Sequence, residues 1–198
     1  MTFRKEIKYD LSKINLEILI SNLIEDGMIT LYPNRRVISY YFDTNDLIFY
    51  NESLNGILPR YKYRLRTYDQ KKVFYKEIKI SSIEGRFKTS QKISEDEFKN
   101  LYQNGTNFKS YGLIKPNIEV SYLRQYFLYK DCRLTLDYEI SYVNQNSINQ
   151  IKFFDESNVM ELKTSIDQDN SFLDKIFSFK PVSFSKYARG ISKTNIFS

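Results

Sequence analysis

Arg60, Lys62, Arg64 and Arg66 alternate with Tyr61, Tyr63 and Leu65, so a strand here carries a row of four cations on one face. Such a row repels itself unless water or an anion meets it. The planar guanidinium fork matches the paired oxygens of a phosphate. After a turn at Asp69-Gln70-Lys71, a second arm puts Tyr75, Glu77 and Lys79 on one face, and Phe74, Lys76, Ile78 and Ile80 on the other. The same habit recurs along the chain. Glu6 and Lys8 share a strand face, as do Arg86, Lys88 and Ser90, then Tyr122 and Arg124, then Arg133, Thr135 and Asp137, then Glu161 and Lys163.

Any one of these strands reads as the solvated face of a half-buried sheet. The set reads differently, because it is rich in Arg and interleaved with Tyr75, Tyr122 and Thr135. Phosphate-binding cations lining the polar bore of an antiparallel barrel, with the apolar faces under helices, is the geometry this pattern predicts. Glu119 falls on the opposite face from Tyr122 and Arg124 and is left out of the set. Asp137 is open between a metal ligand and an ion-pair partner.

Composition narrows the chemistry. The 198 residues suit a single domain over 1–198, and no repeat or composition break divides them. The net charge is +6 and the isoelectric point about 9.1, which fits an anionic partner. There is no histidine, so Ser–His and Cys–His catalysis and imidazole ligation are excluded. The lone Cys132, in an alternating segment, is expected as a packed thiol. A metal would be held by oxygen, which favours Mg²⁺ or Mn²⁺. No leader and no long apolar run is read, so the expected setting is cytoplasmic.

The elements that position these residues are legible in outline. Strands are expected over Phe3–Leu11, Arg36–Asp43, both arms of the hairpin, Gly85–Ile93, Asn117–Tyr129, Cys132–Tyr142 and Val159–Thr164. Ser12 is placed to cap a helix running to about Asp26, closed by Gly27. Ser94 with Glu97 forms a capping box for a second helix ending near Gly105. Asp43-Thr44 reads as a turn and cap, Thr106–Lys115 as loop, Asn170–Phe179 as a short helix, and Ile191–Ser198 as a fraying tail.

The motif order E-x-K-Y (Glu6–Tyr9), S-x-Y-F-D-T (Ser39–Thr44), K-x-R-x-R-x-Y (Lys62–Tyr68), E-I-K (Glu77–Lys79), Y-x-R (Tyr122–Arg124), R-x-T-x-D (Arg133–Asp137), E-L-K (Glu161–Lys163) and S-F-S-K-Y (Ser183–Tyr187) resembles the VTC domain. That is the polyphosphate polymerase domain of the triphosphate tunnel metalloenzyme, or CYTH-like, superfamily, here in its short prokaryotic form. The resemblance implies an α+β fold: an eight-stranded antiparallel β-barrel, the triphosphate tunnel, with helices packed outside. It implies an ATP-dependent polyphosphate polymerase that moves the γ-phosphoryl of ATP onto polyphosphate. Lys8, Arg64, Arg66, Lys79, Arg124 and Lys186 would contact phosphates. Arg86, Arg133 and Lys163 would add to them, with Tyr122 contributing its hydroxyl. Glu161 and Glu6 would hold Mn²⁺ or Mg²⁺. Where superfamily hydrolases open E-x-E-x-K, this chain reads R-K-E-I-K, which favours the polymerase branch.

The partners implied are ATP and polyphosphate rather than nucleic acid. A membrane protein on a separate chain is a further implied partner, and would hold the domain at the inner face of a membrane. A triphosphate hydrolase, a non-catalytic polyphosphate or inositol-phosphate binding module and a basic nucleic-acid binder are the competing readings. The last is disfavoured because most aromatics alternate away from the Arg rows.

Overall fold

The computed structural model describes residues 4–68, 73–165 and 179–195. The strands are β1 (Arg4–Leu11), β2 (Ile29–Asp43), β3 (Arg60–Tyr68), β4 (Phe74–Ser82), β5 (Gly85–Ile93), β6 (Thr106–Asn107), β7 (Leu113–Tyr129), β8 (Cys132–Asn144), β9 (Lys152–Asp155) and β10 (Asn158–Ser165). The helices are α1 (Lys13–Glu25), α2 (Ile48–Leu54), α3 (Glu95–Asn104) and α4 (Lys186–Asn195). Strand neighbours follow the order β1-β10-β8-β7-β2-β3-β4-β5, with β6 on β7 and β9 on β8. Every ladder whose register is resolved is antiparallel.

Two compact units divide the chain, and β2, β7 and β8 contribute to both. The first comprises Met1–Arg35, Tyr122–Ile140 and Glu156–Phe184. Its apolar side is set by strand alternation: Tyr9 and Leu11 of β1, Leu134 and Leu136 of β8, and Met160 and Leu162 of β10 all point one way. Leu16, Leu19 and Leu23 of α1 cover them. Burying a leucine of this kind contributes about 2 kcal/mol, which holds α1 down although it has no acidic first turn or basic last turn. Ser12 caps α1 by accepting from the Asn15 amide, and Gly27 takes a positive φ after it, as the sequence predicts.

The second unit comprises Arg36–Ser121, Ser141–Asp155 and Ser185–Ser198. Its core gathers Phe42, Phe49, Tyr61, Tyr63, Leu65, Ile93, Leu101, Phe108 and Ile114, with Phe74, Ile78 and Ile80 packed against it. Asp43 is a cap, as expected: its carboxylate accepts from the amides of Thr44, Phe49 and Tyr50. Ser94 likewise caps α3 through the Glu97 amide.

Several boundaries differ from those the sequence predicts. β2 begins at Ile29 rather than Arg36, because Pro33 sits in a stretch exposed to solvent, where its missing N–H is tolerated. The expected loop Thr106–Lys115 holds β6, a 3₁₀ turn at Lys109–Tyr111 and the start of β7. Strand β9 was not anticipated. The expected fraying from Ile191 is overturned as far as Asn195, since α4 is a helix with Tyr187 and Ile191 buried. Its anchors are distant in sequence: Tyr187 donates to Asp43, and Arg189 forms a fork on Asp155 at 2.9 and 3.0 Å. Gly190 permits this seat, because a Cβ there would lie 2.6 Å from Ile118 and 2.7 Å from Tyr142. The expected turn at Asp69–Lys71 and the helix Asn170–Phe179, apart from Phe179, lie outside the described residues.

Candidate functional site: two charged sheet faces

In the second unit, register turns the alternating cations of β3 into a two-dimensional array. Arg60, Lys62, Arg64 and Arg66 lie opposite Ser81, Lys79, Glu77 and Tyr75 of β4. Those in turn lie opposite Arg86, Lys88, Ser90 and Lys92 of β5. Directly opposed residues share a face, so Arg60, Lys62, Arg64, Arg66, Lys79, Arg86, Lys88 and Lys92 form eight cations around one carboxylate, Glu77. Lys62, Lys79 and Lys88 form an unbroken row of like charge across three strands.

Glu77 is 4% exposed and holds the centre of the array. It accepts from Arg64 Nε at 2.7 Å, from Ser90 Oγ at 3.2 Å and from Lys88, with Arg66 at 3.5 Å. Burial would push its carboxyl up, but Arg64, Arg66 and Lys88 outweigh burial and hold it far below the usual carboxylate range. Arg66 also donates to Ser39 at 3.0 Å, and Lys62 to Ser185 at 2.9 Å, one residue before Lys186 opens α4.

Tyr41 completes this face from β2, opposite Arg64. Its hydroxyl accepts from Arg64 at 2.7 Å, and its ring stacks on Tyr187 at 5.2 Å. Burial disfavours its ionisation, yet the charges of Arg64, Arg66 and Lys62 override that and bring the phenol down to about 7. An ultraviolet titration should therefore show one of the 17 tyrosines ionising near neutrality, with that step absent in Tyr41→Phe. A bound polyanion should move the step upward by competing for the same cations. No step below pH 9 in the wild type would refute the assignment.

In the first unit the charged face mixes carboxylates with cations. Glu6, Lys163 and Arg133 lie in one row across β1, β10 and β8, and Lys8, Glu161 and Thr135 in the next. Lys163 bridges Glu161 at 3.0 Å and Glu6 at 3.3 Å. Lys8 donates to the Phe184 carbonyl at 2.7 Å. Arg124 of β7 grips Asp137 with both nitrogens at 2.5 and 2.6 Å and lies 5.1 Å from the Tyr122 ring. Asp137, fully buried, is thus an ion-pair partner. Burial would raise the Glu161 carboxyl, but Lys163, Lys8 and Arg124 bring it to about 2, so it is ionised at any physiological pH.

The structure therefore gathers the sequence-predicted residues in two groups. Arg64, Arg66, Lys79 and Arg86 meet on the second unit's face, with Lys186 at the start of α4. Lys8, Arg124, Tyr122, Arg133, Lys163, Glu161 and Glu6 meet on the first unit's face. Sequence reasoning assigned no site role to Lys92, Ser39 or Tyr41, and placed Lys62 only in the row of strand-face cations. Their signal is the ladder register, which only pairing reveals. No group of three or more Cys, Asp or Glu comes together as a metal cage among the described residues. Glu6 and Glu161 nonetheless converge on one ammonium. Two carboxylates completed by phosphate oxygens and water suit Mg²⁺ or Mn²⁺, which favour such mixed shells.

The VTC domain family profile matches residues 3–195. The chain belongs to the VTC domain family. Solved structures that share the fold include a Bacillus halodurans protein provisionally named an adenylate cyclase, at 20% identity and a TM-score of 0.63, covering 98% of this chain and 99% of that one. A Hippeastrum protein, provisionally named an adenylyl cyclase and described as having a dominant triphosphatase activity, matches at 14% identity and 0.59, covering 96% of each chain. A Pyrococcus horikoshii protein matches at 12% and 0.58, covering 96% of this chain and 99% of that one. No curated protein sequence matches. This VTC domain thus has the expected α+β fold class, an antiparallel sheet with an eight-strand order and helices packed on it, the fold it shares with those solved structures. Among its described residues no helix is long and apolar enough to cross a membrane.

Proposed function

We propose that this VTC domain is a metal-dependent polyphosphate polymerase that transfers the γ-phosphoryl of ATP onto inorganic polyphosphate. The observation that carries the reading is the array on β3, β4 and β5, eight cations against one carboxylate. Such rows of cations complement a multivalent anion, and guanidinium forks match phosphate oxygens in pairs. Family membership supports the same ligand class, as does the triphosphatase activity described for the Hippeastrum protein.

The chemistry asks little of the protein beyond position and charge. A terminal phosphate oxygen of polyphosphate attacks the γ-phosphorus, the bond from that phosphorus to the β–γ bridging oxygen breaks, and ADP leaves. The attacking oxygen is already ionised, so the absence of histidine is no obstacle. Within the second unit Arg64, Arg66 and Lys79, and within the first Lys8, Arg124 and Lys163, would each bind phosphates and offset their charge. A divalent ion held by Glu161 and Glu6 would supply Lewis-acid neutralisation of phosphate oxygens.

Incubation with ATP and Mn²⁺, followed by gel analysis of phosphate chains and assay of ADP and free phosphate, tests the reading. Long chains with matching ADP are expected. Free phosphate without chains would make the domain a triphosphate hydrolase. Tight polyphosphate binding without turnover would make it a binding module.

A further inference from the structure

Within the first unit, two tyrosines and two arginines are layered against one another. The Tyr32 and Tyr126 rings meet edge to face with centroids 5.7 Å apart. Arg35 lies 5.3 Å from the Tyr32 ring and 5.7 Å from the Tyr126 ring. Arg133 lies 5.9 Å from the Tyr126 ring on β7. Neither Arg35 nor Arg133 forms an ion pair among the described residues. Their planar groups are thus committed to aromatic faces and not to a carboxylate. Tyr126 is buried, while Tyr32 is 47% exposed and Arg133 is exposed, so the layer ends on an open ring and an open cation. Asn34 donates to Tyr138 at 3.3 Å and ties down the segment that presents Tyr32 and Arg35.

The location matters as much as the composition. Tyr126 follows Arg124 by two residues on β7, about 7 Å along the same face. Arg133 lies opposite Lys163, which bridges Glu161 and Glu6. The layer therefore continues the charged row of that unit and adds the one thing a phosphate chain cannot use, exposed aromatic surface. A flat, neutral heteroaromatic ring is the ligand that stacks on tyrosine and guanidinium planes together. A surface for a nucleic-acid strand would repeat such a station along a groove. A single station beside a phosphate-binding row fits one base carried by its own phosphates.

We infer that Tyr32, Arg35, Tyr126 and Arg133 form a stacking site for the nucleobase of a nucleoside triphosphate whose phosphates lie along Arg124, Lys163 and Lys8. This rests on the phosphate reading proposed above and deepens it, since the site selects a nucleotide over inorganic triphosphate. Equilibrium binding of ATP and of inorganic tripolyphosphate, with wild type, Tyr32→Ala and Tyr32→Phe, tests it. Tyr32 is half-exposed and its replacement leaves the core intact, which circular dichroism will verify.

Tyr32→Ala should weaken ATP roughly tenfold, the scale of losing one base–aromatic stack, and leave tripolyphosphate within about twofold. Tyr32→Phe, which keeps the ring, should bind ATP as wild type does. Equal loss of both ligands in Tyr32→Ala, or loss of neither, overturns the stacking site while the phosphate reading stands. If wild type binds neither ligand, the phosphate reading falls and the stacking site falls with it.

Discussion

Replacing Arg64 with Ala should lower phosphoryl transfer by about 10²- to 10³-fold while the protein stays folded, the scale of removing one preorganised donor to developing charge. Arg64 sits where three effects meet. It pairs with Glu77 at 2.7 Å, donates to Tyr41 at 2.7 Å and stays partly open to solvent, with 21% of its side chain exposed. A bound phosphate therefore finds a guanidinium already held in place, and little order is lost on binding. Folding survives the change because Glu77 keeps Arg66, Lys88 and Ser90 as partners. Arg64→Lys restores the charge without the fork and should recover only part of the rate. The phenol of Tyr41 gives a second readout. Without the Arg64 charge beside it, that phenol should ionise well above 7. Wild-type turnover in Arg64→Ala would remove this face from the reaction.

Glu77→Gln should destabilise the free protein by about 3 kcal/mol or more, because it removes a buried carboxylate that pairs with Arg64, Arg66 and Lys88 at once. For a chain of this length that corresponds to a fall of about 10 °C in Tm. The pH dependence has a fixed sign. The folded carboxyl titrates far below its unfolded value. Its contribution is thus fully present above about pH 4.3 and is lost only as pH falls through the folded value. The variant should accordingly show a shallower acid limb than wild type. Inorganic tripolyphosphate should raise the Tm of Glu77→Gln more than that of wild type, since the added anion takes over the role of the missing carboxylate. An unchanged Tm would mean that solvent alone stabilises the array. A Tm shift without the larger polyphosphate response would leave Glu77 a purely structural anchor.

Local chemistry made several features legible from the sequence. Ser12 and Ser94 announced their helices because an oxygen three residues before an unpaired amide is a local arrangement. The hairpin faces were legible because side chains alternate on any strand. The α4 helix was not, since Ile191–Ser198 reads as a fraying tail and Tyr187, Arg189 and Gly190 show no helix signal until Asp43, Asp155, Ile118 and Tyr142 are brought to them. Asp137 was undecided for the same reason: its role depends on Arg124, on a neighbouring strand.

The sequence by itself determined which residues carry charge, which strand faces they occupy, and that imidazole and cysteine-cluster chemistry are excluded. It also carried the motif order that marks a VTC domain. What only the tertiary structure decided is company. Pairing of β3 with β4 and of β4 with β5 made an array from three rows and put Glu77 at its centre. Pairing of β1 with β10 brought Glu6 and Glu161 to one lysine. Alternation is a property of one strand, fixed by backbone geometry, whereas register depends on how two distant segments bury their apolar faces together.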